Sequence, residues 1–262
     1  MPWSPGPAMA WRPMPRWRMA EVLVSETRAG VRMLRLNRPE RLNALDTDLT
    51  RALVEALRSA DEDGSIRAVL LSGNGRAFCA GADTTEFTAL SAATTDAAAE
   101  RADLTSRLHI MLQRLTKPIV SAVQGAAMGG GAGLAIGCDM MVATTDIKFG
   151  YPELRHGLVP AIVMTGLQRQ FGRKTAFELI SLGRLLGAQE LTTYGLANRV
   201  VPPEEVFDTA FTIAETWAAA DPRAMAATKS LFYRVADLPF DAAMAAGRDV
   251  NALMRRPQRS DR

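Results

Sequence analysis

The chain has 262 residues, of which 48% are hydrophobic and 23% are charged, as in an ordinary globular protein. Its net charge of +3 is accounted for by Arg12, Arg16 and Arg18 near the N-terminus, so the rest of the chain is neutral and we expect no nucleic-acid partner. We also expect no membrane span, because no apolar run is long enough, and no metal site, because the chain has only two histidines and no C-x-x-C pair. Cys79 and Cys138 form no disulfide framework, and reduced thiols of this kind favour a cytoplasmic location.

The first eighteen residues are rich in proline, arginine and tryptophan and contain no signal-peptide core. We predict that residues 1–18 form a disordered leader or are upstream sequence that precedes a start at Met19, with a basic, aromatic interaction tail as the further alternative.

Alternating strands and helices are predicted from there to about residue 150. Val31–Leu36 has the pattern of a strand, and Asp46 or Thr47 can cap a helix that ends near Gly64. Ala68–Ser72 is a short apolar strand. This alternation favours a parallel β/α sheet.

Two loops of very small residues each follow a predicted buried strand. The first is Gly73–Asp83, which is followed by a helix that ends before Lys117. The second comes after the strand Ile119–Val123, and it places six glycines in the thirteen positions from Gly125 to Gly137, with a helix expected to start at Gly131. Such glycines provide positive φ angles, or let a ligand approach bare backbone at a helix N-terminus, where unpaired N–H groups suit a negatively charged oxygen. The alternative is that they only let a helix pack tightly against a sheet.

The remainder of the chain is predicted to be mostly helical. The expected helices are Lys174–Leu182, Pro203–Ala219, Pro222–Val235 and Phe240–Met254.

Four motifs that occur in this order make the chain resemble the crotonase superfamily, the enoyl-CoA hydratase/isomerase family. They are Asn37–Leu45, Ala77–Asp83, Lys117–Asp139 and Phe149–Glu153. The resemblance implies an α/β fold with a spiral of ββα repeats over residues 19–200 and a helical trimerisation region over residues 201–262. It also implies a homotrimer or homohexamer that acts on an acyl-CoA thioester, with coenzyme A as part of the substrate and no separate cofactor.

The resemblance assigns roles to individual residues. The backbone N–H groups of Ala82 and Gly130 would hold the thioester oxygen of an enolate, and Glu153 would transfer protons. The substrate-binding positions it implies are Arg41, Ala44, Ala80, Asp83, Thr84, Thr85 and Gly133. Many relatives have a basic residue where this chain has Thr85, so phosphate contacts would come from elsewhere, with Arg41 or a neighbouring subunit as candidates.

Gly133 is where this chain departs from the pattern of the family. Hydratases of the family use two glutamates, and the first of them would fall at this position, where a glycine cannot transfer a proton. A single carboxylate can still move a proton between C2 and C4, so the sequence slightly favours double-bond isomerisation over hydration. The alternatives are an acyl-CoA binding protein without catalysis, or another CoA-enolate reaction such as decarboxylation or thioester hydrolysis.

Other reactive side chains are given lesser roles. His156 lies close to Glu153 in sequence and is an alternative proton carrier, whereas His109 is interpreted as structural and Asp139 as a capping or pairing residue. Cys79 has no histidine near it in sequence, which argues against a nucleophile. For Glu153 itself, the alternative is a solvated carboxylate in a turn. The acyl cavity is expected to be lined by Phe87, Leu90, Met128, Val159 and Ile162.

Overall fold

A computed structural model describes residues 22–86 and 95–255 of the chain. The strands in chain order are β1 (Leu23–Arg28), β2 (Val31–Leu36), β3 (Ala68–Gly73), β4 (Ile119–Val123), β5 (Ala126–Met128), β6 (Met140–Thr144), β7 (Lys148–Gly150), β8 (Leu185–Leu186) and β9 (Arg199–Val201). The helices are α1 (Thr47–Glu62), α2 (Thr95–Arg114), α3 (Gly130–Gly137), α4 (Val163–Gln170), α5 (Arg173–Leu182), α6 (Ala188–Thr193), α7 (Val206–Ala218), α8 (Pro222–Val235) and α9 (Phe240–Met254). Single 3₁₀ turns cover Pro39–Arg41, Glu153–His156 and Pro203–Glu205.

The strands form two sheets. Six of them make the larger sheet in the order β1-β2-β3-β4-β6-β9, in which β1 pairs antiparallel with β2 and the other neighbours are parallel. The short strands β5, β7 and β8 make the smaller sheet. The chain passes from the larger sheet to the smaller one between β4 and β5, and again between β6 and β7, and a helix follows each pair. This arrangement confirms the predicted α/β fold built from ββα repeats.

Two apolar layers cover the larger sheet. One face packs against α1, α2 and α3 through buried leucines such as Leu53, Leu108 and Leu134, and the other face packs against α7 through Phe211. Among the described residues, no helix combines the length and the apolar character that crossing a bilayer requires.

Most predicted elements are confirmed. Four of them have the predicted bounds: β2, β4, α8 and α9. Asp46 caps α1, since its Oδ1 accepts a hydrogen bond from the Leu49 backbone N–H at 2.8 Å. The glycine-rich helix begins at Gly130, one residue earlier than predicted. The leader 1–18 and the proposed cavity residues Phe87 and Leu90 lie outside the described residues.

Asp139 pairs rather than reacts, as the sequence predicts. It follows α3, and its carboxylate accepts hydrogen bonds from the Ile119 N–H at 2.7 Å and from the Tyr233 hydroxyl at 2.7 Å. The Lys229 ammonium donates to the same carboxylate at 2.7 Å and to the backbone oxygens of Leu112 and Lys117. This buried cluster attaches α8 to the end of the glycine-rich segment.

We expect Lys229→Met to destabilise the protein by about 3–5 kcal/mol, because it leaves a largely buried carboxylate without its ion pair. The measurement is the free energy of unfolding in urea. The control is Lys174→Met, since Lys174 is exposed and its replacement should change that free energy by no more than about 0.5 kcal/mol. Equal effects of the two substitutions would contradict a stabilising role for the cluster.

Candidate active site

Two turns from distant parts of the sequence are held together by backbone hydrogen bonds. Cys79 and Ala127 form a β-bridge, in which the Cys79 N–H donates to the Ala126 oxygen at 3.1 Å and the Met128 N–H donates to the Cys79 oxygen at 3.0 Å. A third segment joins them, since the Leu45 N–H donates to the Gly81 oxygen at 2.7 Å. The turn around Gly81 is therefore fixed against the residues that lead into α3.

The close approach of these turns requires glycine. Gly81 and Gly129 both have positive φ angles, of +94° and +49°. A Cβ atom on Gly81 would lie 2.8 Å from the Met128 oxygen, and one on Gly131 would lie 2.3 Å from the Cys79 oxygen. The glycine-rich sequence thus serves close backbone contact between two loops, as well as helix packing.

The backbone nitrogens of Ala82 and Gly130 lie close to one another. A Cβ atom built on Gly130 would lie 3.9 Å from the Ala82 nitrogen, and one built on Gly81 would lie 3.5 Å from the Gly130 nitrogen. Within residues 22–86 and 95–255, no backbone acceptor is hydrogen-bonded to either N–H group. Gly130 is also the first residue of α3, where helix N–H groups are unpaired and carry a partial positive charge. Such a pair of donors can hold one oxygen that carries negative charge.

The carboxyl group of Glu153 lies beside this pair of amides. Its Oε1 would be 2.6 Å from a Cβ atom on Gly129, the residue directly before Gly130. Its Oε2 is enclosed and has no hydrogen-bond partner among the described residues. Burial raises the pKa of Glu153 above its ordinary value, and the nearby His156 opposes that shift only in part. Glu153 is therefore a half-buried group that takes up a proton more readily than a solvated glutamate.

Several other predicted binding residues lie along the same loops. Ala44 and Asp83 are buried, Ala80 is half-buried, and Arg41, Thr84 and Thr85 are exposed. The side chain of Asp83 accepts hydrogen bonds from the Thr85 N–H at 3.0 Å and from Arg38 Nη2 at 3.0 Å. Burial acts to raise the pKa of Asp83, but these bonds hold it below its ordinary value. The carboxylate of Asp83 thus maintains the shape of the turn next to Ala82.

Arg38 is a site residue that the sequence interpretation missed. Its guanidinium donates to the Ala44 oxygen at 2.5 Å and forms ion pairs with Asp46 and Asp83, each at 3.0 Å. It joins the loop before α1 to the turn around Ala82. The position of Arg38 inside the first of the four motifs was the available signal.

His109 occupies the space next to Gly133. A Cβ atom on Gly133 would lie 2.8 Å from His109 Nε2 and 2.8 Å from Val163 Cγ1. On the other side of the ring, Nδ1 lies 2.9 Å from the Thr105 backbone oxygen. The sequence interpretation missed this contact, because α2 and α3 are brought together only by the fold.

The other candidate residues are less well placed to take part in catalysis or to line a cavity. His156 is exposed in the 3₁₀ turn that begins with Glu153. Cys79 is fully buried, and burial raises the pKa of its thiol to about 12, which fits the prediction that it is not a nucleophile. Of the expected cavity residues, Met128 and Ile162 are half-buried, whereas Val159 is 71% exposed.

Comparisons with known proteins find similarity over most of the chain. A family model described as enoyl-CoA hydratase/isomerase matches residues 26–258. The 2,3-dehydroadipyl-CoA hydratase of Escherichia coli K12 is 34% identical over 237 residues, which cover 90% of this chain and 91% of that protein. The short-chain-enoyl-CoA hydratase of Clostridium acetobutylicum is 32% identical over 225 residues, 85% of each chain. A solved structure of an enoyl-CoA hydratase from Mycobacterium smegmatis superposes with a TM-score of 0.86 at 34% identity and covers 90% of this chain and 92% of that one.

Proposed function

Since the chain belongs to the enoyl-CoA hydratase/isomerase family of the crotonase superfamily, we propose that its two loops and Glu153 catalyse acid–base chemistry at C2 of an unsaturated acyl-CoA. The proposal is supported by the proximity of two unpaired amides, of Ala82 and Gly130, to each other and to a half-buried carboxyl group. The acyl-CoA class of substrate is implied by the family.

The amides act on the thioester oxygen. Removing a proton from C2 leaves an electron pair that delocalises onto this oxygen and forms an enolate. Donors fixed in place before the reaction stabilise that charge better than water does, and each is worth roughly 3–4 kcal/mol when removed. Both donors are backbone groups, so neither position needs a side chain that donates a hydrogen bond.

Glu153 moves the proton. In a 3-enoyl-CoA, the Glu153 carboxylate takes a proton from C2, and the C2–H electron pair passes into the enolate. The same proton is then returned to C4, where the C3=C4 electron pair forms the new C4–H bond. The enolate C1=C2 pair becomes the C2=C3 double bond, the thioester C=O forms again, and the product is a 2-enoyl-CoA. No other reactant is consumed, so isomerisation is the reaction that Glu153 can carry out alone. Its test is a direct assay of the purified protein with 3-enoyl-CoA, in which 2-enoyl-CoA should accumulate.

An acyl-CoA binding protein without catalysis is the outcome that would refute this proposal. Tight binding of a saturated acyl-CoA by calorimetry, together with no turnover of 2-enoyl-CoA or 3-enoyl-CoA, would establish it. If the protein catalyses only decarboxylation or thioester hydrolysis, the proposed role of the amide pair stands and the role given to Glu153 is wrong.

We expect kcat/KM for isomerisation to fall as the pH decreases, and the midpoint of this fall should lie above the ordinary pKa of a glutamate. The base is the ionised form of Glu153, and burial raises its pKa, so the carboxylate is lost at a higher pH than in a solvated glutamate. A pH profile of kcat/KM measures this in the free enzyme. A profile that stays flat down to the ordinary glutamate range, near 4.5, would contradict the assignment.

We propose that the protein assembles as a homotrimer or homohexamer. The C-terminal helices α8 and α9 support this, because they expose large apolar side chains. Phe232 is 68% exposed and Phe240 is 76% exposed in the single chain. Apolar surface of this kind is typical of an interface between subunits.

A further inference from the structure

Four polar side-chain atoms in the described residues are enclosed and have no hydrogen-bond partner, and two of them, on His109 and Glu153, lie beside the start of α3. The four atoms are Ser72 Oγ, His109 Nε2, Tyr151 Oη and Glu153 Oε2. An unpaired buried polar group costs about 1–3 kcal/mol, so such atoms in a folded protein call for an explanation. Glu153 is explained by the proposed reaction, but His109 has no role in it.

His109 and Glu153 flank the same turn of α3. The Glu153 carboxyl lies against Gly129, and the His109 imidazole lies against Gly133. Gly129 and Gly133 are one helical turn apart, since the Gly133 N–H donates to the Gly129 oxygen at 2.9 Å. The two side chains therefore approach the start of α3 at positions that are one turn apart.

The hydrogen bonds of His109 define which ring nitrogen is basic. A backbone carbonyl can only accept a hydrogen bond, so Nδ1 carries the hydrogen that is donated to the Thr105 oxygen. In the neutral ring, Nε2 then presents a lone pair. Burial lowers the pKa of His109, and the backbone of Thr105 and of Gly130 opposes this only in part, so the ring is neutral at physiological pH. His109 is thus a hydrogen-bond acceptor and a potential base that faces Gly133.

We infer that His109 takes over the task of the missing first glutamate, by holding a water molecule for addition to C3 of a 2-enoyl-CoA. This inference rests on the proposed function, because it uses the same amide pair and Glu153. The water oxygen forms a bond to C3, and one water proton goes to His109 Nε2. The C2=C3 electron pair passes through the enolate to C2, which takes a proton from neutral Glu153. A proton returned from His109 to Glu153 completes the cycle, and the product is a 3-hydroxyacyl-CoA.

Gly133 and His109 form a matched pair in this view. The imidazole fits only because position 133 has no side chain, since a Cβ atom there would lie 2.8 Å from Nε2. A side chain at position 133 is therefore incompatible with the present position of the imidazole. The imidazole of His109 thus replaces the missing carboxylate as a proton carrier. This replacement makes hydration possible in addition to isomerisation.

The test compares His109→Gln with Arg107→Gln, the introduction of the same residue at an exposed position of α2. Both hydration of 2-enoyl-CoA and isomerisation of 3-enoyl-CoA are measured, and the readout is their ratio, which is independent of the fraction of folded enzyme. We expect the ratio to fall about 10²-fold in His109→Gln and to stay near the wild-type ratio in Arg107→Gln. An unchanged ratio in His109→Gln overturns the inference even if both activities decrease.

A double variant provides a second test. His109→Ala combined with Gly133→Glu removes the ring and supplies a carboxylate at the position where relatives have one, so hydration should recover relative to His109→Ala alone. Gly133→Glu alone should lose hydration because of the contact with His109. Failure of the double variant to exceed His109→Ala would overturn the inference. If the wild-type enzyme carries out neither reaction, the proposed function fails first; if it only isomerises, the role of His109 fails and the proposed function stands.

Discussion

Replacing Glu153 with glutamine should lower the rate of 3-enoyl-CoA isomerisation by about 10²- to 10⁴-fold. The two side chains have the same shape, so the contact with Gly129 and the 3₁₀ turn should be preserved. Glutamine cannot accept a proton from C2 or return one to C4. The loss should therefore appear in kcat, while the dissociation constant of a saturated acyl-CoA should stay close to that of the wild type.

The matched control for this substitution is Glu204→Gln, at an exposed carboxylate in a different 3₁₀ turn. Its kcat should equal that of the wild type. Isomerisation or hydration that persists at the wild-type rate in Glu153→Gln would remove Glu153 from the mechanism and leave the amide pair without a proton carrier.

Adding one methyl group at Gly130 should reduce turnover by about 10²- to 10³-fold, the usual effect of losing one donor to an oxyanion. The Cβ atom of Gly130→Ala would lie 3.9 Å from the Ala82 nitrogen, in the space between the two amides where the thioester oxygen is expected. Its nearest neighbour would be Leu45 Cδ1 at 3.2 Å, a flexible side-chain end, so the fold should tolerate the substitution. Stopped assays at saturating substrate measure the change in kcat.

Gly166→Ala is the control, because a Cβ atom on Gly166, inside α4, meets nothing within 4 Å. It should leave kcat unchanged and stabilise the helix by about 0.5–1 kcal/mol. Full activity in Gly130→Ala would mean that the oxygen does not lie between the amides.

Features that depend on local sequence could be predicted. The apolar runs of β2 and β4, the Asp46 cap of α1 and the first-turn proline of α8 each lie within a few residues of the signal that indicates them. The same holds for the glycine turn before α3, where composition alone indicates bare backbone. Strands of two or three residues such as β5 and β8 could not be predicted, because they are too short to show a period.

Contacts between distant segments could not be predicted from local sequence patterns. The ion pair between Arg38 and Asp83 joins residues 45 positions apart, and it forms because both segments end at the same edge of the sheet. His109 and Gly133 are in contact because α2 packs across α3. The presence of a glycine in the sequence does not show which side chain fills the space beside it. The sequence therefore indicated a missing carboxylate at Gly133 and could not indicate the imidazole that lies there.

A crystal structure with a bound saturated acyl-CoA would test the central claim most directly. We predict that the thioester oxygen lies about 2.7–3.1 Å from the backbone nitrogens of both Ala82 and Gly130, and that the Glu153 carboxyl faces C2. A bound thioester whose oxygen is turned away from both amides would contradict it.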